Sequence, residues 1–192
     1  MKDKRLNRLF KEDGKIMLLP LDHGATLGPV KGLENINCTL SKLLLYVDCV
    51  VLHKGVIKLN YELLCKRTLG VIMHLSAGNM LSPQIDRKVL VGSVEEAIAL
   101  GCDGVSIHVN IGNEYDTEMI KDFAEVSRKC NELGMPLLAM MYARGNQIED
   151  PYSVDNVKLV ARFAQELGAD IVKVNYTGNV EEFKEVTEGC QI

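Results

Sequence analysis

The chain has 192 residues, 47% hydrophobic and 25% charged, with a net charge of -4; this suits one globular domain over 1–192 and argues against disorder. Its acidic and basic residues are intermixed, so there is no basic stripe to track a phosphate backbone and nucleic acid is not an expected partner. The N-terminal MKDKRLNRLFKEDGK lacks the apolar core of a signal peptide and no apolar run reaches the roughly 18 residues of a membrane span, so a cytosolic protein without a membrane partner is expected.

In chain order, Ile16 to Leu21 reads as a first strand and ends at Asp22-His23-Gly24. Cys49 to Leu52 reads as a second, followed by His53-Lys54-Gly55, and Val71 to Leu75 as a third, overlapping His74-Leu-Ser-Ala-Gly78. Ser93-Val-Glu-Glu96 has the spacing of a capping box and opens a helix that ends at Leu100-Gly101. A strand over Gly104 to Val109 comes next, with His108 and Asn110 at its end. Glu132-Leu133-Gly134 then leads into Pro136 to Met141 and the polar Tyr142-Ala-Arg-Gly145. Ser153 precedes the amphipathic VDNVKLVARFAQEL, Leu167-Gly168 ends it, and Ile171 to Asn175 is the sixth strand. Asn179-Val-Glu-Glu182 starts the last helix. Gly101, Gly134 and Gly168 each fall where a helix C-terminus needs a left-handed residue.

The apolar runs are nearly continuous, as parallel strands covered on both faces require. A βα repeat fits either a doubly wound open sheet or a TIM barrel. An open sheet concentrates its functional groups at one crevice, whereas here polar residues gather at the C-terminal end of nearly every strand, as in a barrel. The expected fold is therefore α/β, a TIM (β/α)8-type barrel with about six βα units present. A full barrel has eight strands and about 250 residues, so two units are missing from the count. The strands at Leu18 and Val172 are expected to have bare edges.

Side chains alternate along a strand, so Lys173 and Asn175 share one face and Val172 and Val174 the other. With the valines toward the helices, Lys173 faces the interior, where a desolvated amine can attack a carbonyl; the alternative is a solvated edge-strand lysine. Tyr142 ends the preceding strand and stands beside Lys173, either as a proton relay or as a packed aromatic. Asp22 is either a carboxylate for acid–base work or the cap of an Asp-His-Gly turn. His23, His53, His74 and His108 all lie near strand ends, but with Asp22 the one well-placed carboxylate they are expected to orient substrate and not to hold a metal. The six cysteines include no CxxC spacing, so buried, reduced thiols are expected.

Leu19-Pro-Leu-Asp-His-Gly24 with Gly28-Pro29, Leu52-His-Lys-Gly55, His74-Leu-Ser-Ala-Gly78, Ser106-Ile-His-Val-Asn110, Met140-Met-Tyr-Ala-Arg-Gly145 and Ile171-Val-Lys-Val-Asn-Tyr-Thr-Gly178 together resemble the archaeal-type class I aldolases. That family includes fructose-bisphosphate aldolase and 2-amino-3,7-dideoxy-D-threo-hept-6-ulosonate synthase. The resemblance implies that Lys173 forms an imine, Tyr142 donates a proton and Asp22 accepts one, with His23, Gly24, His108 and Arg144 binding a phosphorylated keto sugar. It also implies chemistry without cofactor or metal, and rings of five or ten subunits. LDHGATLGPVKGLENI is more similar to the synthase branch, which serves a route toward aromatic precursors. Family members continue past the equivalent of Gly189-Cys190 into two strands whose glycine-rich ends hold the phosphate. The expectation is thus a C-terminally truncated Schiff-base aldolase or transaldolase; a non-catalytic relative, or a lyase for an unphosphorylated sugar, are the rival readings.

Overall fold

The structure is a computed structural model that describes residues 1–65 and 69–192. A helix α1 (Lys2–Leu9) precedes strand β1 (Leu18–Pro20), the short α2 (Gly24–Leu27) and α3 (Ile36–Leu43). Strand β2 (Cys49–Leu52), α4 (Lys54–Leu59), α5 (Tyr61–Cys65) and β3 (Gly70–His74) follow. A two-stranded ribbon, β4 (Ser76–Ala77) and β5 (Val89–Leu90), interrupts the βα rhythm before α6 (Val94–Ala99). The chain continues through β6 (Gly104–Ile111), α7 (Asp116–Leu133), β7 (Leu137–Ala143), α8 (Val154–Glu166), β8 (Ile171–Lys173) and α9 (Val180–Gly189).

The main sheet runs β1-β2-β3-β6-β7-β8, every neighbouring pair parallel. The order never reverses, so there is no switch point of the doubly wound kind; the sheet winds in one direction, as a barrel wall does. All six strands expected from the sequence are present. The first and the sixth are shorter than expected, the sixth ending at Lys173, and the fourth and fifth run on to Ile111 and Ala143. Gly101, Gly134 and Gly168 have φ of 73°, 61° and 86°, the left-handed ends that the helix-to-strand phrase requires. At the N-termini, Ser93 and Glu96 make the full reciprocal capping box, whereas Asn179 accepts from the Glu182 amide.

The two faces of the sheet separate residue by residue. Val50, Leu52, Met73, Val105, Ile107, Ala139 and Met141 pack outward under the helices, while Val51, Ile72, Leu138, Met140 and Tyr142 form an inner cluster with Leu9 of α1. Val172 and Val174 lie on the outer side against α8 and α9. Four cysteines are buried, but Cys38 and Cys65 are exposed, a departure from the expectation for the thiols as a group. Cys38 lies on α3, whose outer positions the apolar pattern does not distinguish.

Helix α1, which the charged N-terminus did not announce, closes one end of the interior. Leu9 sits so close to Gly70 that a Cβ there would come within 2.7 Å of it. Its cations reach carboxylates at the starts of strands: Arg8 meets Asp103 at 2.9 Å and Lys2 meets Asp170 at 3.0 Å. Each of these aspartates also accepts an amide from the neighbouring strand, Asp103 from Val71 and Asp170 from Leu137, and Asp48 does the same for Met17. The plugged end is the N-terminal end of the strands, which leaves the C-terminal end open for chemistry.

Candidate active site

At that open end a cavity of about 360 Å³ is lined by Asp22, His23, His108, Tyr142, Arg144 and Lys173. Six of the seven residues singled out from the sequence therefore converge on one space. The seventh, Gly24, is exposed at the first position of α2, next to the cavity wall. The order of the wall follows from register. Met140 is paired with Lys173, so Tyr142, two residues on, shares the inward face one step nearer the mouth. Arg144 is two residues further, its guanidinium 4.5 Å from the Tyr142 ring centroid. Tyr142 is 8% exposed and has the His108 ring 4.9 Å away on it.

Asp22 faces two histidines, with Oδ2 3.6 Å from His74 Nε2 and Oδ1 3.9 Å from His23 Nδ1. Both distances are electrostatic contacts and not hydrogen bonds. His74 is buried, and its Nδ1 is 2.7 Å from Ser106 Oγ. Burial, chiefly, pulls the His74 pKa down to about 4; the Asp22 charge opposes this, and His53, Lys173 and Lys88 add to it. The ring is therefore neutral near pH 7. Electrostatics favour the proton on the nitrogen that faces the carboxylate, which leaves Nδ1 to accept from the Ser106 hydroxyl.

His108 is fixed by a similar argument. The Asn110 amide donates through Nδ2 to the Asp86 carbonyl at 2.7 Å, so its Oδ1, 2.8 Å from His108 Nε2, must accept. His108 then carries its proton on Nε2 and keeps Nδ1 as an acceptor. Burial, first, holds its pKa near 3, aided by the charges of Lys88, His74 and Arg144 and opposed by the Asn110 bond.

All four histidines line the cavity. Among the described residues no three His, Cys, Asp or Glu side chains are grouped closely enough to hold a metal ion together. Lys54, adjacent to His53, is directed elsewhere, with Nζ 3.0 Å from Glu96. One wall residue escaped the sequence reading. Lys88 comes from the ribbon between β3 and α6, where Asp-Arg-Lys reads as an ordinary charged turn. The ribbon is held over the cavity by Ser76 Oγ, which accepts the His108 amide, and by the Asn110 bond to Asp86.

Comparison with known proteins follows the same lines. The family model of the DeoC/LacD aldolases matches residues 16–192. The chain belongs to the DeoC/LacD aldolase family. Among characterised members, 2-amino-3,7-dideoxy-D-threo-hept-6-ulosonate synthase 1 of Archaeoglobus fulgidus is 43% identical over 191 residues, which covers 100% of this chain and 70% of that protein. A 2-amino-4,5-dihydroxy-6-oxo-7-(phosphonooxy)heptanoate synthase of Streptomyces griseus is 40% identical over 98% of this chain and 69% of its own length. Among solved structures, a Schiff-base-forming fructose-1,6-bisphosphate aldolase superposes with a TM-score of 0.87 at 26% identity, over 100% of this chain and 77% of that one. This DeoC/LacD aldolase thus has the parallel, singly wound wall of its relatives, with six strands of it present.

Proposed function

We propose that the protein is a class I, Schiff-base aldolase or transaldolase acting on phosphorylated keto sugars, with Lys173 as the imine-forming residue. The observation that carries the reading is the convergence of an inward lysine with Tyr142 and Asp22 in one cavity at the C-terminal end of a parallel wall. In this mechanism the Lys173 amine adds to the ketone carbon and water leaves, giving an iminium that withdraws electrons from the neighbouring carbon–carbon bond. In cleavage the substrate hydroxyl gives up its proton as the bond breaks, the aldehyde departs and an enamine remains. Protonation of the enamine and hydrolysis release the second ketone; in synthesis the enamine attacks an aldehyde instead.

Tyr142 is the proton donor of this scheme and Asp22 the acceptor. Support for Tyr142 comes from its buried hydroxyphenyl ring one step along the wall from Lys173. Support for Asp22 comes from its place in the same cavity, with neutral His74 on its far side. The 43% identity to a 2-amino-3,7-dideoxy-D-threo-hept-6-ulosonate synthase, against 26% to the fructose-bisphosphate aldolases, favours the synthase branch and with it a part in aromatic precursor formation. A cytoplasmic homo-oligomer accompanies the reading, and light scattering after size exclusion tests the assembly.

The decisive experiment is borohydride reduction in the presence of dihydroxyacetone phosphate or fructose 1,6-bisphosphate, followed by peptide mass spectrometry. A stable adduct on Lys173, absent from Lys173→Ala, is the expected result. A folded protein that gives no adduct, or gives one on another lysine, overturns the assignment.

A further inference from the structure

We infer that Asn110 is a positioning residue through which the ribbon sets the hydrogen-bonding sense of His108, so that Nδ1 of that ring meets the cavity as an acceptor for a hydroxyl of the keto sugar. The inference rests on the Schiff-base reading for the nature of the substrate and deepens it by a residue and a substrate group.

The network starts from a group that has no choice. The Asp86 carbonyl oxygen can only accept, so its partner at 2.7 Å is the Asn110 amide nitrogen. Asn110 Oδ1 is then the atom 2.8 Å from His108 Nε2, and it too can only accept. Nε2 therefore carries the ring proton and Nδ1 is bare. Turned over, the amide would set its oxygen against the Asp86 oxygen and offer its nitrogen to Nε2, which would move the ring proton to Nδ1. The ribbon carbonyl thus decides the tautomer of a ring with which it shares no hydrogen bond.

Asn110 is 0% exposed, so bulk water does not compete for its amide. Its own carbonyl is held by Asn113 Nδ2 at 2.9 Å. The ribbon grips the same histidine a second time, since Ser76 Oγ accepts the His108 backbone amide at 3.1 Å. Backbone and ring of His108 are both referred to one short stretch of chain.

Nδ1 has no hydrogen-bond partner among the described residues. The one sealed side-chain polar atom without a partner among them is Arg87 Nε, so Nδ1 is open to the cavity that His108 lines. Met140 is paired with Lys173 on one side and with His108 on the other, and the His108 ring lies 4.9 Å from that of Tyr142. The bare nitrogen belongs to the space of the reacting carbons. Burial keeps the ring neutral near pH 7. A neutral acceptor takes a hydroxyl and offers nothing to a carbonyl or phosphate oxygen. The hydroxyl that suits it is the one on the carbon next to the imine carbon, because Lys173 and His108 flank the same residue of the wall.

Gly78 supplies a variant that leaves every member of the network in place. A Cβ there would come within 2.8 Å of the Arg87 carbonyl oxygen, so Gly78→Ala shifts the ribbon beside Asp86. The first experiment reads the His108 tautomer by nuclear magnetic resonance of isotope-labelled histidine, with His108→Asn identifying the signals. A protonated Nε2 and a bare Nδ1 are expected in wild type. Nε2 stays protonated in Asn110→Asp, whose carboxylate still accepts, and the single pattern is lost in Asn110→Ala and in Gly78→Ala. A proton on Nδ1 in wild type overturns the proposal, as does an unchanged pattern in Gly78→Ala, which carries the comparison alone if Asn110→Ala fails to fold.

The second experiment measures the ketone concentration that half-saturates borohydride trapping at Lys173. Dihydroxyacetone phosphate is compared with hydroxyacetone phosphate, which lacks the free hydroxyl beside the ketone. In Gly78→Ala and Asn110→Ala the value should rise about tenfold for the first ketone, the worth of one hydrogen bond, and change little for the second. Equal rises for both overturn the hydroxyl assignment. Wild type that traps neither ketone sinks the Schiff-base reading, while the tautomer experiment still judges Asn110.

Discussion

Asp22 Oδ2 stands 3.6 Å from His74 Nε2, and the other nitrogen of that buried ring is tied to Ser106 Oγ at 2.7 Å. The carboxylate thus has a neutral, oriented partner on one side and the cavity on the other. Removing the ring leaves Asp22 free to swing. For His74→Asn we expect kcat to fall about tenfold to hundredfold, the cost of a misplaced catalytic group, with borohydride trapping at Lys173 and KM little changed. A parallel loss of trapping would mean that His74 merely holds the wall together.

Tyr142→Phe removes one oxygen and leaves the packing against His108 and Arg144 intact. Turnover is expected to drop by roughly 10²- to 10⁴-fold, the range of positioned acid–base groups, while thermal stability holds. Unaltered turnover would return Tyr142 to the role of a packed aromatic.

Two buried histidines set an acid limit on stability. His74 and His108 have folded pKa values near 4 and 3, below the ordinary value of 6.5. Between those values and 6.5 the unfolded chain binds more protons, so stability rises with pH across this window and is lost on acidification. Each histidine contributes a slope of roughly 1.4 kcal/mol per pH unit within it. Urea midpoints at pH 7 and pH 5 should differ clearly in wild type and by about half as much in His108→Asn. A flat profile would contradict neutral burial.

Gly145 and Gly112 bring two βα turns together backbone to backbone; a Cβ on Gly145 would overlap the Gly112 carbonyl, and Gly145 has φ of 155°. Gly145→Ala should cost about 1–3 kcal/mol, the range of enforced backbone strain, and should displace Arg144, read as a rise in substrate KM. A neutral substitution would show that the two turns separate easily.

Asp103 holds Arg8 of α1 with one oxygen and the Val71 amide with the other. Asp103→Ala leaves a buried amide without its partner, at a cost of about 1–3 kcal/mol. Denaturant midpoints measure it, and Lys173 trapping in the folded fraction should be unaffected.

Much of this was legible in the chain. Leu-Gly before each β-rich run set three helix ends and the strands that follow, because left-handed glycine and period-two alternation are local properties. The convergence of Asp22, Tyr142 and Lys173 was legible once strand ends were read as a common rim. Lys88 was not, since it reaches the cavity through a ribbon whose fold depends on a close approach at Gly78 and on hydrogen bonds between the ribbon and β6, made by Ser76 and Asn110. Helix α1 was missed for a related reason: its cations are explained only by aspartates more than ninety residues away. Those aspartates did leave a trace, since Asp48, Asp103 and Asp170 each stand immediately before a strand.

The ribbon between β3 and α6 places Lys88 in the cavity lining and is tied to the wall through Ser76 and Asn110. It behaves as a detachable fingertip on a rigid palm. Exchange of this short stretch alters the rim of the cavity while the lysine, the tyrosine and the strands beneath them stay untouched, so new selectivity can arise here without the chemistry having to be reinvented.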